Sequence, residues 1–109
     1  MQIRFTARHY KAPGNIREYV EKKVQRLDKY FDGIIDCDVI LSYQKLDQVA
    51  EFALNVQGQK LVVVEKSDDI YKSIDFGVDK LERQLKKYKN KLKERKGDKS
   101  PAVQVTGAQ

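Results

Sequence analysis

Nine basic side chains fall between residues 80 and 96, with only two acids, Glu82 and Glu94, among them. The local charge is therefore +7, against +6 for the whole chain of 109 residues, so the remainder is slightly acidic. Positive charge concentrated on one short segment is chemistry for holding a polyanion, of which RNA is the commonest. A helix terminus needs only two or three cations to complement its dipole. Pairs such as Arg83 with Lys87 and Lys87 with Lys91 repel at i,i+4 spacing, and a polyanion partner accounts for that tolerated cost.

Enzymatic chemistry is poorly supplied. The single histidine, His9, and the single cysteine, Cys37, make no cluster with metal-ligand spacing, so no cofactor or metal is expected. Cys37 reads as a small buried apolar residue in a chain without an internal disulfide, which suits a reducing, cytoplasmic setting. Asp75 and Asp79 lie one turn apart, but with Asp68 and Asp69 they read as helix caps and as partners for Lys72, Lys80 or Arg83. Val56-Gln57-Gly58 resembles a fragment of the acylphosphatase loop, yet it sits in a hairpin and has no arginine placed for a phosphate. The expectation is a protein that is not an enzyme and has no small-molecule substrate.

The elements that position the cations follow from periodicity. Residues 2–8 alternate as a half-buried strand. After the break at Pro13-Gly14-Asn15, Ile16, Tyr19, Val20, Val24, Leu27 and Phe31 recur at helical spacing over residues 15–31. Residues 34–44 form a second strand, with Ile35, Cys37, Val39, Leu41 and Tyr43 on one face. A third strand follows over 49–57, then a two-residue loop at Gly58-Gln59 and a fourth strand over 60–66. In that register Val56 faces Leu61 and Leu54 faces Val63. Ser67-Asp68-Asp69 caps a second helix, whose stripe of Ile70, Ile74, Val78, Leu81, Leu85, Tyr88 and Leu92 runs to about residue 95. Such a helix outruns the strands, so its basic end overhangs the body of the domain.

The expected fold class is therefore α+β, in the order β-α-β-β-β-α, with a four-stranded mixed sheet and two helices packed on one face. Residues 1–95 form one domain and residues 96–109 a flexible C-terminal tail. No apolar run is long enough to span a membrane.

On helical wheels Lys80, Arg83, Lys86, Lys87 and Lys91 lie opposite the apolar stripe of the second helix, with Lys89 at its border. Lys22, Arg26 and Lys29 make a ridge on the first helix, with Lys23 at its border. Helices side by side would let the two ridges bound one positive groove. The expected contacts are Lys22, Lys23, Arg26, Lys80, Arg83, Lys86, Lys87, Lys89 and Lys91. The open sheet face offers no aromatic for base stacking, which argues against an RNA-recognition motif, and no GXXG loop marks a KH domain. A double-stranded-RNA-binding domain carries lysines at the start of its last helix, where this chain has Asp68-Asp69.

The segment Asp69-Ile70-Tyr71-Lys72-Ser73-Ile74-Asp75, then Asp79-Lys80-Leu81-Glu82-Arg83-Gln84-Leu85 and the Lys87, Lys89, Lys91 alternation, resembles the ribosome hibernation promoting factor family, which includes ribosome-associated inhibitor A proteins. Ile16-Arg17-Glu18-Tyr19-Val20, Lys23, Arg26-Leu27 and Tyr30-Phe31 agree with it. The resemblance covers residues 1 to about 95. It implies the fold already read from periodicity. It also implies binding to the small ribosomal subunit and its ribosomal RNA, in the channel of mRNA and tRNA near the decoding centre, and steric inhibition of translation in stressed or non-growing cells. Lys23, Arg26, Lys80, Arg83, Lys87, Lys89 and Lys91 match the family's basic pattern, whereas Lys22 and Lys86 come from the wheel alone. The protein is expected to be monomeric off the ribosome, and the resemblance fits either a short form of the family or the N-terminal domain of a long form that carries a second, ribosome-pairing domain. A general structured-RNA binder or RNA chaperone would use the same basic helices, and a protein-docking module would instead use Tyr88 and Leu92.

Overall fold

The computed structural model describes residues 1–97, with side chains through Leu92. The elements are β1 (Gln2–Ala7), α1 (Ile16–Gln25), β2 (Ile34–Gln44), β3 (Asp47–Val56), β4 (Gln59–Ser67) and α2 (Ile70–Gly97). The strands form one sheet in the order β1-β2-β3-β4, with β1 and β2 parallel and the other pairs antiparallel. This is the expected β-α-β-β-β-α fold with both helices on one face. The parallel pair needs a crossover, and α1 supplies it.

One apolar core joins the layers. Ile16, Val20, Val24 and Leu27 meet Val39, Leu41, Phe52 and Leu54 from the sheet and Ile74, Leu81 and Leu85 from α2. Gly77 lets α2 approach closely, because a Cβ there would overlap the Phe52 ring. The helices meet each other through Tyr19 and Tyr71, edge to face at 4.9 Å. Cys37 is fully buried, and burial pushes its thiol up to about 12, which removes it from thiolate chemistry.

Several boundaries differ from the periodicity. The first helix is α-helical only to Gln25 and continues as a 3₁₀ turn over Arg26–Lys29. A bulge between Ile34 and Asp36 breaks the alternation of β2. Ile34 is thereby buried and Ile35 turned outward, the reverse of the expected face, and Tyr43 at the far end is also exposed. The β3–β4 loop is Gln57-Gly58, with Val56 opposite Gln59, Leu54 opposite Leu61 and Phe52 opposite Val63. The expected register was displaced by two residues, which preserves the faces and changes only the partners. Gly58 has φ +81°, so the glycine takes the second loop position, not the first.

At the start of α1, Asn15 makes no side-chain cap bond. Its Oδ1 instead accepts from the Tyr71 hydroxyl at 2.8 Å and ties the helices together. The start of α2 is capped conventionally, the Tyr71 amide donating to Asp69 Oδ1 at 2.9 Å. The helix runs to Gly97, two residues past its expected end. Residues 98–109, which hold most of the expected tail, lie outside the described residues.

Candidate nucleic-acid interface

The length of α2 creates the site. Tyr88 marks where the helix leaves the body of the domain. Its hydroxyl donates to the Gln57 carbonyl at 2.5 Å, and its ring meets Phe31 edge-on at 5.5 Å. Gln57 lies in the loop that ends the sheet, so the helix after Tyr88 projects beyond it. Those nine residues, 89–97, add roughly 13 Å at 1.5 Å per residue. Lys89 and Lys91 stand on this projection and are exposed.

The cations do not gather in one groove. They wrap α2 along two flanks. On the α1 side, Lys86 Nζ lies 5.1 Å from the centre of the Tyr30 ring and 3.2 Å from Glu82. Lys89 lines a cleft together with Lys29, Tyr30 and Phe31. On the β4 side, Lys80 Nζ meets Glu65 at 2.6 Å, and Lys87 and Lys91 border a depression with Gln59 and Leu61. Arg83 is exposed on the outer surface of the helix.

The first helix contributes unequally. Lys22 and Arg26 are exposed. Lys23 is held instead: its Nζ lies 3.3 Å from Asp75 and 5.6 Å from the centre of the Tyr19 ring. Asp75 also accepts from the Tyr19 hydroxyl at 2.6 Å. Burial first, and the Asp75 carboxylate second, push the Tyr19 hydroxyl up to about 12, while Arg26 opposes the shift. Asp75 therefore fastens the two helices; the expected pairing within α2 is seen for Lys72 with Asp68, whereas Lys80 pairs with Glu65 of β4.

Of the nine cations, Lys23, Lys80 and Lys86 have carboxylate partners. Among the described side chains, no carboxylate lies within ion-pair distance of Lys22, Arg26, Arg83, Lys87, Lys89 or Lys91. Toward the described side chains, these six can meet phosphate without first breaking a salt bridge. Lys29 joins them through its cleft with Lys89. The α1 wheel placed Lys29 on the basic ridge, but its meeting with Lys89 depends on tertiary packing.

The opposite face of the sheet is differently equipped. Arg4 bridges Asp36 at 3.0 Å and Asp38 at 2.5 Å, and Asn55 Nδ2 donates to Asp36 at 2.5 Å. That network neutralises Arg4, while Arg8, Lys60 and Lys66 stand exposed. Among the described residues, no group of three or more histidines, cysteines or carboxylates could hold a metal ion.

Comparison with known proteins gives this geometry a context. The family model described as "Sigma 54 modulation protein / S30EA ribosomal protein" matches residues 3–93. The chain belongs to this family. A relative named ribosome hibernation promoting factor, from Azotobacter vinelandii, is 38% identical over 102 residues, which cover 94% of this chain and 95% of the relative. Another of the same name, from Escherichia coli K12, is 35% identical over 94 residues, which cover 86% of this chain and 99% of the relative. The N-terminal domain of Protein Y from Thermus thermophilus superposes with a TM-score of 0.74 at 38% identity, covering 81% of this chain and 99% of that domain. A ribosomal subunit interface protein from Coxiella burnetii gives 0.77 at 32% identity, covering 83% and 99%. The family resemblance carried by residues 69–91 is thus borne out over nearly the whole described chain.

Proposed function

We propose that this protein is a cytoplasmic hibernation factor that binds the small ribosomal subunit and silences it. In this reading it occupies the channel of mRNA and tRNA near the decoding centre, contacts ribosomal RNA through α1 and α2, and blocks translation sterically without catalysis. The observation that carries the reading is the cationic surface around the C-terminal half of α2, raised on a helix that projects past the sheet. A rigid rod with charge on two flanks suits a channel walled by RNA on both sides, where a flat patch would meet only one wall. Contacts of this kind read phosphate and shape, as expected for folded RNA. The names of the relatives, ribosome hibernation promoting factor and ribosomal subunit interface protein, agree with this partner.

Co-sedimentation with small subunits tests the reading, with wild type beside the double variant Arg83→Glu/Lys87→Glu and translation measured in the same extract. Loss of both pelleting and inhibition in the variant is expected. Unchanged pelleting and inhibition would refute the assigned surface. Equal affinity for small subunits and for bulk duplex RNA would instead identify a general RNA binder.

A further inference from the structure

A cleft of about 700 Å³ opens where the 3₁₀ turn after α1, the start of β2 and the β3–β4 loop meet α2. That volume falls within the range of small-ligand clefts, roughly 300–1,000 Å³. Its walls combine aromatic side chains (Tyr30 and Phe31), an aliphatic one (Ile35) and two lysines (Lys29 and Lys89).

The bulge in β2 shapes this cleft. Regular alternation from Cys37 would bury Ile35, but the bulge turns it outward at 56% exposure and sends Ile34 inward. Bulges recur where a strand must re-aim a side chain, and an isoleucine facing water brings the fold no packing in return. The aromatic wall is held in place before any ligand arrives. Phe31 is fixed edge-on by Tyr88, which is anchored in turn to the Gln57 carbonyl.

We propose that this cleft receives one unstacked nucleobase of an RNA strand, with the flanking phosphates on Lys29 and Lys89. The inference rests on the RNA-binding reading above and extends it from phosphate to base. An aromatic and aliphatic lining alone would suit many apolar ligands. Two lysines, one from the 3₁₀ turn and one from α2, select a ligand that is flat and apolar at its centre and anionic at its edges, which is a nucleotide within a strand. Gln57 and Asp32, also at the rim, supply polar groups for the base edge. An RNA-recognition motif stacks bases on its sheet, whereas here the aromatic surface lies at the end of the first helix.

The test is an NMR titration of the ¹⁵N-labelled protein with a single-stranded RNA trinucleotide and with an abasic ribose-phosphate trimer of equal charge. Stacking of one base should make the RNA bind at least about fivefold more tightly than the abasic trimer. Its amide shifts should centre on Gly33, Ile35, Gln57 and Lys89. Ile35→Ser, which alters no charge, should abolish the difference between the two ligands, while Lys89→Gln should weaken both alike and preserve it. Equal affinities, shifts confined to the Lys22 and Arg26 ridge, or no binding of either ligand would each overturn the base cleft. Equal affinities of the wild type for the two ligands, with its ribosome pelleting intact, would sink this inference alone, whereas unchanged pelleting of the Arg83→Glu/Lys87→Glu variant would sink the broader reading separately.

Discussion

The Asp75 carboxylate of α2 accepts a hydrogen bond from the Tyr19 hydroxyl of α1 at 2.6 Å. With Lys23 on the same carboxylate at 3.3 Å, this contact sets how the two helices lie against each other. Removing either partner should loosen the pair. Tyr19→Phe should cost about 1 kcal/mol and Asp75→Ala about 1–2 kcal/mol in urea unfolding. The double variant should lose less than the sum, by about 0.5–1 kcal/mol, because both changes remove one shared interaction. Strict additivity would show that the contact carries no stability.

The same contact predicts an alkaline limit. The folded state holds the Tyr19 hydroxyl up to about 12, above its ordinary value near 10. The unfolded chain therefore releases this proton first, and stability falls as pH rises between those values. The contribution is complete below pH ~10. Tyr10 shifts in the same direction, so the comparison of wild type with Tyr19→Phe isolates Tyr19. The variant should show a shallower decline in unfolding free energy between pH 10 and 12.

On the acidic side Asp36 is the informative group. The hydrogen bond from Asn55 is the largest cause holding its carboxyl below its ordinary value; burial, next in size, opposes it, and the hydrogen bond and charge of Arg4 reinforce it. Stability from this group is present above the ordinary carboxylate range and is lost as pH falls through the lowered folded value. Asn55→Ala should move the Asp36 titration upward, measured from its side-chain carboxyl carbon by NMR. No movement would make Arg4 the dominant partner.

Gly77 offers a packing test in which two effects oppose each other. Alanine in a helix interior gains about 1 kcal/mol over glycine by propensity. Here the added methyl group would overlap the Phe52 ring, and forced overpacking costs about 1–3 kcal/mol. Gly77→Ala should therefore be destabilising in thermal unfolding, and Phe52→Leu in the same chain should recover part of the loss. A stabilised Gly77→Ala would mean that the helix is free to shift away from the sheet.

The sequence-level reading succeeds where the physics is local. The stripe from Ile70 to Leu92 predicts a helix longer than the strands, and the helix is that long. It fails where tertiary packing decides. Alternation in β2 points Ile35 inward, and only the register against β3 reveals the bulge that turns it out. Helical spacing over Arg26–Lys29 cannot separate 3.6 from 3.0 residues per turn in four residues. The pairing of Asp75 with Lys23, and of Lys80 with Glu65, joins elements far apart in the chain, where i,i+4 reasoning offers only neighbours. The nine cations were legible as a set, but their division between two flanks of α2 was not. The Lys29–Lys89 cleft likewise needs the end of the first helix and the projecting end of α2 brought together.

Salt dependence should count the cations in use. Each phosphate neutralised contributes about −0.7 to −0.9 to the slope of log affinity against log salt. The six cations without carboxylate partners among the described side chains therefore predict a slope of at least about −4 for small-subunit binding. Lys22→Gln or Lys91→Gln should each reduce its magnitude by slightly less than one, while Lys80→Gln, which also frees Glu65, should lower affinity more than it lowers the slope.

Occupancy of the channel is the central claim, and competition on isolated small subunits tests it most directly. Labelled protein bound to small subunits is challenged with mRNA and a cognate P-site tRNA, and its release is followed by fluorescence anisotropy. Mutually exclusive binding is the predicted result, with release that saturates as mRNA and tRNA fill the subunit. Stable co-occupancy of one subunit by the protein, mRNA and tRNA would contradict the account.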